Sequence, residues 1–175
     1  NTDFINNIGT EWANKIATTT WKVGGNIIAK VLESPPSTVY QNEIVNPVPG
    51  SYSYTGETEY TAKVGLMYMS DYEFAASPSA WTLVGFNEND ATKDYRAATS
   101  INWMYMGEYE WTITRTTNSI SYVYNVSNMG CLYYDKRADV YDTVFYYEAR
   151  PVFSLESSVT YQSGSGTQSD PIVIN

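Results

Sequence analysis

The sequence contains no histidine and only one cysteine, Cys131. Histidine is the side chain that most often moves protons near neutral pH, activates a serine or cysteine nucleophile, and binds zinc. Its absence removes the central part of most familiar catalytic schemes. A lone cysteine excludes an internal disulfide framework and a thiolate metal cluster. Basic residues are also scarce: 10 Lys and Arg stand against 19 Asp and Glu, for a formal charge of −9. With no basic stripe to displace counterions from a phosphate backbone, nucleic acid is set aside as a partner. Apolar runs fall short of the roughly 20 residues that a spanning helix needs, so no membrane span is expected within the chain. The chain opens at Asn1 with neither Met nor a charged and then apolar leader. That predicts a processed chain whose anchor, if it has one, lies upstream. No cofactor is expected.

What the chain has in excess is tyrosine: 17 Tyr and 5 Trp against 5 Phe, within 175 residues that are 43% hydrophobic. That length and apolar content suit one domain with its own core. Tyrosine combines a ring that gains by burial with a hydroxyl that needs a partner, which favours half-wet recognition surfaces.

Phe4, Ile8, Trp12 and Ile16 recur every fourth residue, predicting one helix of about four turns packed on a sheet. Thr18–Val23 alternates and is β-branched, predicting a strand that ends in a turn at Gly24-Gly25. Residues 33–60 carry Pro35, Pro36, Pro47, Pro49, Gly50 and Gly56, and read as a loop-rich insertion. Lys63–Met69 reads as a buried strand, and Ser70 with Glu73 as a capping box opening a short helix over Tyr72–Ala76. Residues 85–100 read as an exposed loop. Strands are predicted over 103–105, 110–114, 121–126, 143–147 and 152–155, with turns at Gly107, Asn118-Ser119 and Asn128–Gly130, and a final strand follows Pro171. Two short early helices followed by short strands give an α+β domain with a mainly antiparallel twisted sheet.

Several segments, in order, resemble a family of bacterial surface proteins of unassigned function found in Gram-positive gut bacteria. They are Asn6–Trp12 with Lys15–Gly25, Lys63–Ala76 with Ser77-Pro78 and Trp81, Asn102-Trp103-Met104, Glu110–Ile113, Ala149–Leu155, and Gly164–Thr167 with Asp170-Pro171. The resemblance covers nearly the whole chain and implies a single C-type-lectin-like domain over residues 1–175. That fold is shared with formylglycine-generating-type domains and with the variable proteins of diversity-generating retroelements. It implies that the N- and C-terminal strands pair, and that residues 111–153 form a ligand-presenting stretch. It also implies an extracellular or cell-surface location. The chain departs from the family where Glu148-Ala149-Arg150-Pro151-Val152 replaces the usual Gly-Val-Arg-Pro-Val. The calcium motifs of sugar-binding lectins, Glu-Pro-Asn and Trp-Asn-Asp, are absent, as is the cysteine pair of the oxidases.

The candidate ligand-binding residues are Tyr122, Tyr124, Asn125, Asn128, Tyr133, Tyr134, Arg137, Asp139, Tyr141, Tyr146 and Tyr147: rigid rings interleaved with small amides and charges, a mixture suited to a protein or glycan ligand. In Tyr122–Val126 the period of two sends Tyr122 and Tyr124 to one face and Val123 and Asn125 to the other. The expected role is a non-enzymatic ligand-binding or adhesion module. The alternatives are a pilin-like subunit using the same rings for self-assembly, and a glycan hydrolase using two of Asp71, Glu73, Glu108, Glu110 and Asp139. Asn87–Asp90 with Asp94 offers oxygen ligands but lacks the spacing of a calcium loop, and reads as a solvated acidic loop. Arg150 is expected to pair with a core carboxylate near the last strand, and Cys131 to be a small buried side chain. The sequon Asn125-Val126-Ser127 is read as incidental.

Overall fold

Gly9 adopts φ 87 and stands at the N-cap of a helix, splitting the N-terminal stretch into α1 (Thr2–Asn7) and α2 (Thr10–Lys15). This conformation is open to glycine and strained for other residues, so the predicted continuous helix is two short ones. The computed structural model describes residues 2–27, 34–50, 57–81, 100, 102–118, 122–136 and 147–175. The remaining elements are β1 (Thr19–Lys22), β2 (Gly25–Asn26), α3 (Pro36–Tyr40) running into a π-helical turn (Gln41–Val45), β3 (Glu59–Ala62), β4 (Gly65–Leu66), α4 (Met69–Phe74), a 3₁₀ turn (Pro78–Ala80), β5 (Glu110–Thr116), β6 (Tyr122–Val126), β7 (Leu132–Lys136), β8 (Pro151–Val152), β9 (Tyr161–Ser163) and β10 (Val173–Ile174). The α+β class is thus observed, with few short helices and mostly antiparallel pairing. The chain groups into two compact units, Asn1–Thr20 with Thr61–Gly65 and Val152–Asn175, and Trp21–Tyr60 with Leu66–Pro151.

In the first unit neither helix buries a residue, and Trp12 is 47% exposed, so the predicted apolar stripe covers little; Ile16, just past α2, is fully buried. Lys63 closes the end of α2 by donating to the Ala13 and Ile16 carbonyls at 2.8 and 2.7 Å, a cation on orphan carbonyls. Lys15–Ala17 runs antiparallel to Ser154–Glu156: Ala17 N–H donates to Ser154 O at 2.9 Å and Glu156 N–H to Lys15 O at 2.8 Å. The expected pairing of the first and last strands is not made, because β1 pairs with β3 and β10 with β9. The chain ends meet through this shorter ladder, and through the Lys15 ammonium on the Asn175 carbonyl.

The second unit holds a four-stranded sheet in the order β2-β5-β6-β7, parallel between β2 and β5 and antiparallel elsewhere. Gly25 is therefore a strand residue rather than a turn. On β5, Glu110, Thr112, Thr114 and Thr116 are buried, while Trp111, Ile113 and Arg115 are half-buried. The buried face is polar, and its hydroxyls are used: Thr112 donates to Tyr124 O at 2.8 Å and Thr116 to Tyr122 O at 2.9 Å. Helix α4 meets this face where Met69 N–H donates to the Thr114 hydroxyl at 3.0 Å; its Met69, Tyr72 and Glu73 are buried, as are Val39 of α3 and Met67, whose carbonyl accepts from Ile113 N–H at 2.9 Å.

Residues 33–60 are not simply loop. Pro36 sits in the first turn of α3, where no amide hydrogen is needed, and Val39 is fully buried, so the prolines start a helix rather than prevent one. Gly24 lies against the π-helical turn so closely that a Cβ there would stand 2.2 Å from Asn42 O and 2.8 Å from Glu43 O. Helix α4 begins earlier than expected. Asp71 caps it by accepting from Tyr68 N–H at 2.9 Å, and Ser70 and Glu73, predicted as the cap, lie inside the helix and are buried. The predicted strand 103–105 is a turn carrying Trp103, 80% exposed, held by Asn102 Nδ2 on Tyr72 O at 2.8 Å. Turn glycines Gly107 and Gly130 fall as predicted, while β7 is an element the sequence pattern did not mark. Cys131 is fully buried with its sulfur 2.9 Å from Ser127 Oγ. The predicted loop 85–100, apart from Ser100, and the predicted strand 143–147, apart from Tyr147, lie outside the described residues.

Candidate functional site

The predicted tyrosines divide by burial. Tyr124, expected to share a presented face with Tyr122, is fully buried beneath the sheet, where its hydroxyl donates to Asn26 O at 3.2 Å. Burial raises its pKa well above the usual phenol range. Asn125 is also fully buried, so neither residue is displayed, and the sequon it heads is closed to modification in the folded chain. The reason is the sheet's two-sidedness: β6 lies between β5 and β7, and both of its faces are covered at positions 124 and 125.

Tyr122, Tyr133 and Tyr134 remain half-buried. Tyr134 pairs in register with Tyr124, and its ring meets Tyr122 edge-on at 5.6 Å and Tyr133 in a stack at 5.4 Å. A second aromatic group forms where Tyr147 stacks on Tyr109 at 4.9 Å and tilts against Trp111 at 4.4 Å. Trp111, Asn125 and Tyr133 occupy one cross-strand row, in which Trp111 and Tyr133 are half-buried at the two sides of the fully buried Asn125; Trp111 was not among the predicted site residues. Asn128 is exposed in the β6–β7 turn, and its carbonyl accepts from Tyr105 OH at 2.6 Å. Arg137, Asp139, Tyr141 and Tyr146, and the acidic loop at 87–94, lie outside the described residues.

Arg150 meets its expected carboxylate. Its Nε and Nη2 stand 2.7 Å from Oε1 and Oε2 of Glu110, and Nη2 also donates to Met104 O at 2.7 Å. Burial raises the Glu110 pKa and Arg150 opposes that shift.

The other carboxylates of note are Glu43 and Glu73, both fully buried. Glu43 Oε1 accepts from the Thr114 hydroxyl at 2.5 Å and Oε2 from Ser70 N–H at 3.3 Å. Burial pushes its pKa from 4.5 to about 7 against these donors. Glu73 is pushed up by burial and by the charge of Glu43, and neither of its oxygens has a hydrogen-bond partner. Glu73 was a candidate for carboxylate chemistry; Glu43 was missed. The signal was in the spacing, because Pro36, Val39 and Glu43, like Met69, Tyr72 and Glu73, fall on one helical face. Among the described residues no group of three or more His, Cys, Asp or Glu could hold a metal ion.

No protein-family model, curated protein or solved structure matches the chain. No described helix is long and apolar enough to cross a membrane.

Proposed function

We propose that the protein is a non-enzymatic extracellular binding module of the C-type-lectin-like kind, recognising a protein or glycan through the aromatic rings of its four-stranded sheet. The observation that carries this reading is the half-buried set in which the Tyr134 ring packs against both Tyr122 and Tyr133. Rings that brace one another lose little freedom on binding, and half-buried tyrosines keep part of their surface toward solvent. The group of Tyr109, Trp111 and Tyr147 extends the same chemistry. Hydrolysis is a poorer fit. Glu43 and Glu73, which act on each other electrostatically, are sealed from solvent, and Glu110 is taken by Arg150. A glycosidic bond reaches neither arrangement.

The test is binding of the wild-type chain and of a Tyr133→Ala/Tyr134→Ala variant to a glycan array and a panel of extracellular-matrix proteins. Circular dichroism confirms that both are folded. The reading expects selective wild-type binding that falls at least tenfold in the variant. Wild-type binding to nothing on either panel, or undiminished binding by the folded variant, overturns it.

A further inference from the structure

Helices α3 and α4 each bury one side and leave a ring on the other. Val39 and Tyr72 are fully buried, whereas Tyr40 is 38% and Phe74 40% exposed. Phe74 meets Tyr40 edge-on at 6.4 Å and 72°, and it meets Trp81, just past the 3₁₀ turn, at 5.1 Å and 85°. Single exposed rings are common on any protein surface, but rings in contact with one another make a patch of the kind that marks an interaction site.

The surroundings of the rings set the charge of what would cover them. The segments that carry them, residues 34–50 and 66–81, contain Glu43, Asp71 and Glu73 and no Lys or Arg. Glu43 and Glu73 are buried, and Asp71 is exposed. Asp71 stands three residues before Phe74 in α4, which places their Cβ atoms about 5–6 Å apart on one helix face. Helical side chains lean toward the N-terminus, so the Phe74 ring covers the turn that holds Asp71. The carboxylate is fixed there, its Oδ2 accepting from Tyr68 N–H at 2.9 Å. Aromatic faces are electronegative, and a carboxylate at their margin adds to that potential. A cation is attracted by both.

We infer that Tyr40, Phe74, Trp81 and Asp71 form a docking site for an arginine side chain of a partner protein. A guanidinium is planar and weakly hydrated, so it stacks on a ring face while its N–H fork meets a carboxylate; an ammonium is compact and holds its water. A sugar is a poorer fit. A pyranose stacks on a flat platform, whereas these rings cross at 72° and 85°, and the one donor of Trp81 is already committed to Ala76 O at 3.0 Å. An apolar side chain would gain nothing from Asp71. The formal charge of −9 steers basic partners toward the chain. The site stands on helices rather than on the strands that carry Tyr122, Tyr133 and Tyr134, and it does not depend on the role proposed for those tyrosines.

The experiment titrates the isotope-labelled full chain with the capped peptide Gly-Gly-Arg-Gly-Gly and follows the indole N–H signals by NMR. The Trp81 signal is the one missing from Trp81→Phe. The expected result is a saturable shift of this signal, which Gly-Gly-Lys-Gly-Gly produces only weakly and Gly-Gly-Gln-Gly-Gly not at all. Phe74→Ala is expected to weaken the arginine peptide about fivefold. Asp71→Asn, which keeps an oxygen for the Tyr68 N–H, is expected to weaken it about threefold. Circular dichroism checks that both variants fold; should Phe74→Ala not fold, Asp71→Asn decides. A Trp81 signal that does not move overturns the proposal. So does a shift that the lysine or glutamine peptide matches, or an affinity that the folded variants leave unchanged.

Discussion

Arg150 clamps Glu110 with two contacts of 2.7 Å across a sequence separation of 40 residues, the guanidinium meeting both carboxylate oxygens. Glu110 is 5% exposed as a side chain and Arg150 23%, so the pair is largely withdrawn from water. Arg150→Ala strands a buried carboxylate and removes a donor from Met104 O. Stability is expected to fall by about 3 kcal/mol, read as a lower urea midpoint with unchanged slope. Arg150→Lys should recover only part, because an ammonium does not reproduce the paired geometry. A loss below roughly 0.5 kcal/mol for Arg150→Ala contradicts this account.

The raised pKa of Glu43 gives stability a pH dependence of definite sign. The folded chain holds this proton up to about pH 7, whereas an exposed carboxyl releases it near 4.5. The contribution is complete below the lower value and is lost as pH rises through the higher one, on the order of 3 kcal/mol in total. Glu73, Asp71 and Glu110 shift in the same direction. Urea unfolding between pH 4.5 and 8 is the measurement, and Glu43→Gln should flatten the profile. A wild-type chain that gains stability over this range refutes the assignment.

Gly24 is where the chain passes against the carbonyls of Asn42 and Glu43. A methyl group at 2.2 Å from backbone oxygen cannot be relieved by a rotamer change, so Gly24→Ala must displace the π-helical turn. The expected cost is about 1–3 kcal/mol, measured as a drop in melting temperature. An alanine variant as stable as wild type would mean that the backbone yields there without effect.

Tyr124 and Tyr133 are one pleat apart in character, since one is sealed beneath the sheet and the other is half-buried. Tyr124→Phe removes the hydrogen bond to Asn26 O and should cost about 1 kcal/mol. Affinity for whatever the array identifies should stay unchanged. A variant with intact stability but lost binding would overturn this division, making the buried ring the one that meets the ligand.

How much of this was legible beforehand depends on which interactions were local. Strands β5 and β6 were readable because Trp111 and Ile113, and Tyr122 and Tyr124, recur with a period of two, and Gly107 and Gly130 mark turns that neighbouring residues alone decide. Arg150 was placed correctly because a guanidinium beside a terminal core strand needs a carboxylate. The helix at Pro36 was not readable, since clustered prolines look like loop unless Val39 is known to be buried. Ser70 and Glu73 matched a capping pattern, yet the long-range contact of Ser70 with Glu43 carried them into the interior. Tyr124 and Tyr134 are alike in sequence and register together across β6 and β7. Only the layer packed below the sheet separates their fates, and that layer is assembled from distant segments.

Cys131 lies with its thiol wholly inside the second unit, its sulfur 2.9 Å from Ser127 Oγ. An alkylating reagent must wait for the surrounding strands to part before it reaches the sulfur. The rate at which this one thiol is labelled therefore acts as a clock for breathing of the sheet interior, already in place without any engineered probe.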